Sequence, residues 1–201
     1  MIAIKIGGSL LESKKIRECL DIIVAQNKRT FIIPGGGVFA NLVRSEQKKI
    51  KFNNLVAHNL CLLSMSSVGC IIQSMIPKSS ELIVNVDELH LTKKNITVWV
   101  PKNKFEVKCN KFTNWNTTSD TIALTTSKKI NAKTLIILKA CEIPDSGNQG
   151  YLKISKKKGF MLSEKKILDK KFYTEINDCN FPIFIIYASK VESLTKLLRK
   201  F

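Results

Sequence analysis

A lysine in the middle of an apolar strand needs an anion beside it. Lys5 stands inside IAIKI at residues 2–6, where an unpaired ammonium would be strongly destabilising. Gly7, Gly8 and Ser9 follow at once, and a second glycine run, PGGG at residues 34–37, closes another apolar stretch, TFIIP. A third apolar stretch, TLIIL, runs directly into Lys139. Glycines placed straight after a strand let the backbone approach a ligand and aim N–H groups at it. A fixed cation beside two sets of backbone donors is the chemistry of phosphate handling, with Gly7, Gly8 and Ser9 as donors and Lys5 as the charge. Either cluster alone is equally a tight turn. Two of them at neighbouring strand ends suggest two phosphate-like groups facing each other.

The next constellation is NWNTTSDTIAL at residues 114–124, which puts Asp120 in the first turn of a helix capped by Thr117, Thr118 or Ser119. Read alone, an acid there meets the helix dipole, worth about 0.3–1 kcal/mol. Read with Lys5, it is the carboxylate that holds a buried ammonium in a cleft. In VAHNLCLLSM, the leucines and Met65 recur at helical spacing and suit a core or a subunit interface, while His58 is a candidate for an acceptor pocket. Trp115 suits stacking on a ring or packing under its own loop, and His90 suits the surface.

These residues need elements to position them. The reading gives strands at 1–6, 30–34, 82–86, 96–100, 134–139 and 183–187. Helices are expected near 11–27, 38–50, 53–75, 119–130, 163–177 and 190–199, with a polar stretch at 102–117 and a possible hairpin within 142–162. Near-continuous apolar strands alternating with helices argue for a mainly parallel sheet covered on both faces, a three-layer α/β/α sandwich. In such sheets ligands bind beyond the carboxyl ends of the strands, where Lys5, both glycine runs and Lys139 all fall. No repeat or linker divides residues 1–201, so one domain is expected.

The formal charge is +17, with 33 Lys and Arg against 16 Asp and Glu. So basic a chain suits nucleic acid, an anionic surface or phosphorylated metabolites. Its lysines are scattered, however, and KISKKKGF at 153–160 reads as a solvated hairpin. A nucleic-acid module would leave both glycine runs without a purpose. The six cysteines stand at 19, 61, 70, 109, 141 and 179 without any CxxC spacing, so no zinc or other metal site is expected. Those in NLCLL and VGCII read as small core residues in a reducing compartment. With no secretory leader pattern and no run approaching 18 apolar residues, the expectation is a cytoplasmic protein that does not span a membrane.

KIGGSLL, IIPGGGVFANLVR, TTSDTIAL and KTLIILK, in that order, resemble the amino acid kinase superfamily, which includes acetylglutamate, uridylate, aspartate and isopentenyl phosphate kinases. The likeness is greatest to a short archaeal and methylotroph branch with a tryptophan before the TSD segment, as at Trp115. That branch includes a furan-methyl phosphate kinase of methanofuran-type coenzyme biosynthesis. The pattern spans residues 2 to about 141, with a weaker echo in LDKKF and FPIFIIYA. The resemblance implies the carbamate kinase-like fold and phosphoryl transfer from ATP with Mg2+ to a small phosphate or carboxylate. Lys5 would stabilise the transferred group, and Asp120 would organise that lysine. Gly7, Gly8, Ser9 and Lys139 would hold ATP, with the lysines of 156–158 behind Lys139. Gly35, Gly36, Gly37, Arg44 and His58 would receive the acceptor. Uridylate- and isopentenyl-phosphate-type kinases, and a nucleotide-storage protein without turnover, are the alternatives. Asn41 and Asn116 stand where the branch usually has Asp, and ACEIPDSGNQG replaces an Asp-Gly pair, with Glu142 or Asp145 as substitutes. A homodimer through the apolar 55–76 helix is expected.

Overall fold

The computed structural model describes residues 1–101 and 106–201; residues 102–105 of the polar stretch lie outside that description. The apolar runs form the strands β1 (Ile2–Ile6), β2 (Thr30–Pro34), β3 (Ser80–Ile83), β4 (Ile96–Trp99), β5 (Thr134–Lys139), β6 (Tyr151–Lys153) and β7 (Ile183–Tyr187). They build one sheet in the order β3-β4-β2-β1-β5-β7-β6, parallel throughout except where β6 pairs antiparallel with β7. The helices are α1 (Lys15–Ala25), α2 (Gly37–Ile50), α3 (Asn54–Met75), α4 (Ser119–Lys129), α5 (Lys156–Glu164), α6 (Phe172–Glu175) and α7 (Val191–Leu198), with 3-10 turns at Gly8–Glu12 and Val86–Leu91.

Because successive strand residues face opposite ways, β1 divides the core in two. Ile2, Ile4 and Ile6 pack with Ile16, Leu20, Leu194 and Leu197 of α1 and α7. Ala3 shares the other face with Leu124 of α4, Leu162 of α5 and Phe172 of α6. Lys5 belongs to that second face by alternation, between Ile33 of β2 and Ile137 of β5. The parallel register brings the carboxyl ends of β1, β2 and β5 side by side, so the three chemically unusual strand ends are neighbours.

Two expectations give way at the C-terminal end. KISKKKGF is not a hairpin: β6 pairs with the distant β7, and Ser155 then caps α5 by accepting from the Lys158 N–H at 3.3 Å. No helix runs over 163–177 either. α5 ends at Glu164, Lys166 takes a left-handed φ of 56°, and a loop leads into the single turn of α6.

Cysteines and α3 also differ from expectation. All six cysteines are unpaired, but only Cys19 is buried; Cys61 is half-buried, and Cys70, which reads as core in VGCII, faces solvent. The 22-residue α3 is long and apolar enough by composition to cross a membrane. In this fold it packs against α2, β2 and β4 and buries Met65, Val68 and Ile72.

Candidate active site

Lys5 is 3% exposed, and its Nζ lies 2.7 Å from Oδ1 of Asp120, itself 3% exposed. Lys139 Nζ reaches Oδ2 of the same carboxylate, also at 2.7 Å. One aspartate on the first turn of α4 therefore bridges lysines from two adjacent strands. The Lys139 contact is a directed hydrogen bond. The Lys5 contact is an ion pair of the same length, so each carboxylate oxygen meets one ammonium. Burial alone would raise the Asp120 carboxyl, but Lys139 and Lys5 outweigh it and hold the group down at about 2. Burial lowers the Lys5 ammonium from its usual range, partly offset by Asp120.

The two glycine turns touch each other. A Cβ on Gly8 would overlap the backbone nitrogen of Gly37, and one on Gly35 would overlap that of Gly8. Gly37 also has φ +56°, the left-handed region that glycine tolerates. Bare backbone is thus required for the turns to meet, before any ligand is considered. Gly7 donates its N–H to the Leu138 carbonyl at 2.9 Å, and Gly35 donates to Ile6 at 2.8 Å, so neither offers the open donor expected of it. The N–H groups of Gly8, Ser9, Gly36 and Gly37 have no acceptor among the described residues.

These open donors face a cavity of about 240 Å³. Gly8, Ser9, Gly36, Gly37, Arg44 and His58 line it, whereas Lys5, Gly7, Gly35, Asp120 and Lys139 do not. Ala57, Cys61, Met65 and Ile122 give it an apolar side. Burial lowers the His58 imidazole, with Glu106 pulling the other way, and burial pushes the Cys61 thiol up to about 11. Trp115 closes one side: its Nε1 donates to Gln47 Oε1 at 2.6 Å, and the Arg44 guanidinium carbon sits 4.4 Å from its ring centroid. Glu142, Asp145 and Lys156 to Lys158 are exposed, as are Asn41 at the cavity edge and Asn116 on the neighbouring segment. His90 is exposed as expected.

Sequence reasoning missed four contributors. Thr117, Thr118 and Ser119 line the cavity at the start of α4, and the buried Thr117 hydroxyl has no partner among the described residues. The TT preceding SD was legible only as a cap. Asp169 was not singled out, since LDKKF falls in the middle of the helix expected over 163–177. Its carboxylate caps α6 through the Phe172 N–H at 3.0 Å, and also holds the first turn of α4 through Thr118 and Thr121. Burial, then the nearby Asp120 charge, pushes the Asp169 carboxyl up, against the pull of those hydrogen bonds.

Comparison with known proteins fits this geometry. The family model described as the amino acid kinase family matches residues 1–142. The chain belongs to the amino acid kinase family. A curated relative, the [5-(aminomethyl)furan-3-yl]methyl phosphate kinase of Methanocaldococcus jannaschii, is 28% identical over 140 residues, which is 68% of this chain and 64% of that protein. The match thus spans just under two thirds of the relative's length. Among solved structures, uridylate kinase from Archaeoglobus fulgidus superposes with a TM-score of 0.71 at 18% identity, covering 98% of this chain and 95% of that one. UMP kinase from Ureaplasma parvum gives 0.69 at 15% identity over 99% and 94%. Aspartate kinase from Synechocystis gives 0.67 at 11% over 94% of this chain and 38% of its own. These structural likenesses establish the amino acid kinase fold, a mostly parallel sheet between helical layers.

Proposed function

We propose that this protein transfers the γ-phosphoryl group of ATP to a small organic phosphomonoester, with a furan-methyl phosphate as the leading candidate acceptor. The observation that carries the reading is Asp120 bridging Lys5 and Lys139 at the strand ends, next to opposed turns with open N–H donors. Phosphoryl transfer asks a protein chiefly for positioning and electrostatic stabilisation, and no covalent nucleophile is needed. ATP supplies the activated phosphoryl group. Lys5, held by Asp120, meets charge developing on the group in transit, and Lys139 steadies the donor phosphates. Gly8 and Ser9 supply donors on the nucleotide side. Gly36, Gly37, Arg44 and His58 hold the acceptor, whose anionic end is met by N–H groups and guanidinium and whose body lies against Ala57, Cys61 and Met65. Support for the acceptor class comes from the furan-methyl phosphate kinase relative. Magnesium bound by nucleotide kinases takes phosphate oxygens, waters and one or two carboxylates. Both Asp120 oxygens are taken by lysines at 2.7 Å and no three His, Cys, Asp or Glu side chains converge among the described residues, so magnesium would be held chiefly by phosphate oxygens and water.

The test is ADP release by pure protein given ATP, magnesium and a panel of phosphomonoesters. Turnover that depends on one of them is expected. ATP binding without ADP release on any acceptor would favour a storage protein of the same fold. The exposed Val56 and Ile71 on the apolar α3 favour a homodimer, to be checked by sedimentation. The six unpaired cysteines suit a cytoplasmic setting.

A further inference from the structure

Asp169 lies on the loop between α5 and α6, beyond the residues matched by the family model. It is 9% exposed, and its carboxylate collects donors from two directions. Oδ2 accepts from the Thr118 N–H, the Thr118 hydroxyl and the Thr121 N–H, each at 2.9 Å. Oδ1 accepts from the Thr121 hydroxyl and from the Phe172 N–H at 3.0 Å. Nearby on the same loop, the Lys171 N–H donates to the Asn116 carbonyl at 2.9 Å. One loop thereby grips both the approach to α4 and its first turn.

The first turn of a helix leaves N–H groups without intrahelical partners, and a nearby side chain normally caps them. Thr118 occupies the cap position of α4, yet its own side chain makes no capping bond. The cap is supplied instead by Asp169, from some fifty residues away in sequence. That same turn carries Asp120, whose oxygens must meet two lysines fixed on β1 and β5. The strands cannot follow a shifting helix end. The position of Asp120 therefore depends on the acceptor that holds its turn.

We propose that Asp169 is a positioning residue for phosphoryl transfer: it caps α4 from across the fold and so fixes Asp120 between Lys5 and Lys139, without touching substrate. The kinase reading is needed only for the effect on rate. Asp169→Asn keeps the shape but turns an amide NH2 towards N–H donors. Its kcat is expected to fall about 10- to 100-fold with both KM values within about three-fold, as misplacement of a catalytic group by an ångström typically gives. A general loss of structure would also lower kcat, so the deciding readout is a double-mutant cycle. In an Asp120→Asn background, Asp169→Asn should change kcat by less than about two-fold, because coupled sites are non-additive. A full additive loss there would overturn the proposal.

Amide hydrogen exchange gives a reading independent of turnover. In Asp169→Asn, exchange should accelerate at residues 118–121 while β1 and β5 stay protected. Acceleration throughout the sheet, or none at all, would overturn the positioning role. Should Asp169→Asn not fold, Thr121→Val removes a single donor. It should lower kcat about three- to ten-fold, as loss of one hydrogen bond to a charged group allows, and this loss should again vanish beside Asp120→Asn. If wild type releases no ADP with any acceptor, the kinase reading fails by itself. The exchange pattern then still decides whether Asp169 holds the Asp120 turn.

Discussion

The two halves of the site are built on opposite terms. On one side, Lys5, Asp120 and Lys139 satisfy one another inside the protein, on strands and a helix end that packing holds still. On the other, the turn at Gly36 and Gly37, the guanidinium of Arg44 and the hydroxyl of Thr117 line a cavity with donors left open. The first is a preorganised charge array, of the kind that stabilises a transition state without rearranging. The second waits for a ligand to complete it. Changes to the array should therefore lower kcat and stability, whereas changes to the cavity should raise the acceptor KM.

The largest expected effect belongs to Lys5→Ala. It removes the charge that meets the transferred group while leaving Asp120 paired to Lys139. We expect kcat to fall about 100-fold or more, as loss of one electrostatic stabiliser typically gives, with the acceptor KM little changed. A rise in KM at constant kcat, measured by initial-rate ADP release, would break the division between the two halves.

Asp120→Asn comes next, through stability as well as rate. Removing one partner of a buried ion pair costs about 3–5 kcal/mol. The folded Asp120 carboxyl lies at about 2, below an ordinary aspartate at about 3.9. Its folded pKa is depressed, so its contribution is fully present above pH ~4 and is lost as pH falls through about 2. Thermal melts of wild type and Asp120→Asn should differ most near pH 7, and the gap should close between about pH 4 and 2. A gap constant down to pH 2 would mean that the carboxylate does not anchor the lysines.

The Lys5–Asp120 pair was legible because its parts are chemically conspicuous, whereas Lys139 read as a phosphate ligand and not as a second partner of Asp120. A lysine in IAIKI and an acid after TTS demand partners, and parallel register supplies them. The mainly parallel sheet and the helices up to α4 followed from apolar runs and caps in the same way, but the order of the strands did not. What could not be read was anything settled by long-range pairing. The Asp169 cap joins residues about fifty apart, and the grip of Lys171 on Asn116 is backbone to backbone. Neither leaves a pattern in a local window, and the same lack made the 163–177 segment look helical. The glycine turns were a subtler case. Their presence was read as ligand space, whereas much of the space at Gly8 and Gly35 is filled by the opposing turn.

On the cavity side, Arg44→Ala should raise the acceptor KM by about ten-fold or more, the scale of one hydrogen bond to a charged group. The KM for ATP should stay within error, since Arg44 lines the cavity and Lys139 does not. Equal changes in both would place Arg44 on the nucleotide instead.

Trp115 should give the smallest effect, and the one that tells most about how the cavity is held. Its ring already carries the Arg44 guanidinium at 4.4 Å, and its N–H is taken by Gln47, which in turn reaches Asn54 at 3.1 Å. An exposed guanidinium such as that of Arg44, stacked on an indole, gains about 0.5–1 kcal/mol. Trp115→Leu should therefore raise the acceptor KM only about two- to five-fold, by freeing Arg44. Trp115→Phe, which keeps a stacking face and loses the N–H, should fall between Leu and wild type. If the indole instead stacked directly on the acceptor, Trp115→Leu would weaken aromatic phosphomonoesters and spare aliphatic ones. Stacking on Arg44 predicts the same modest loss for both, because what the ring aligns is the guanidinium and what the guanidinium meets is the phosphate.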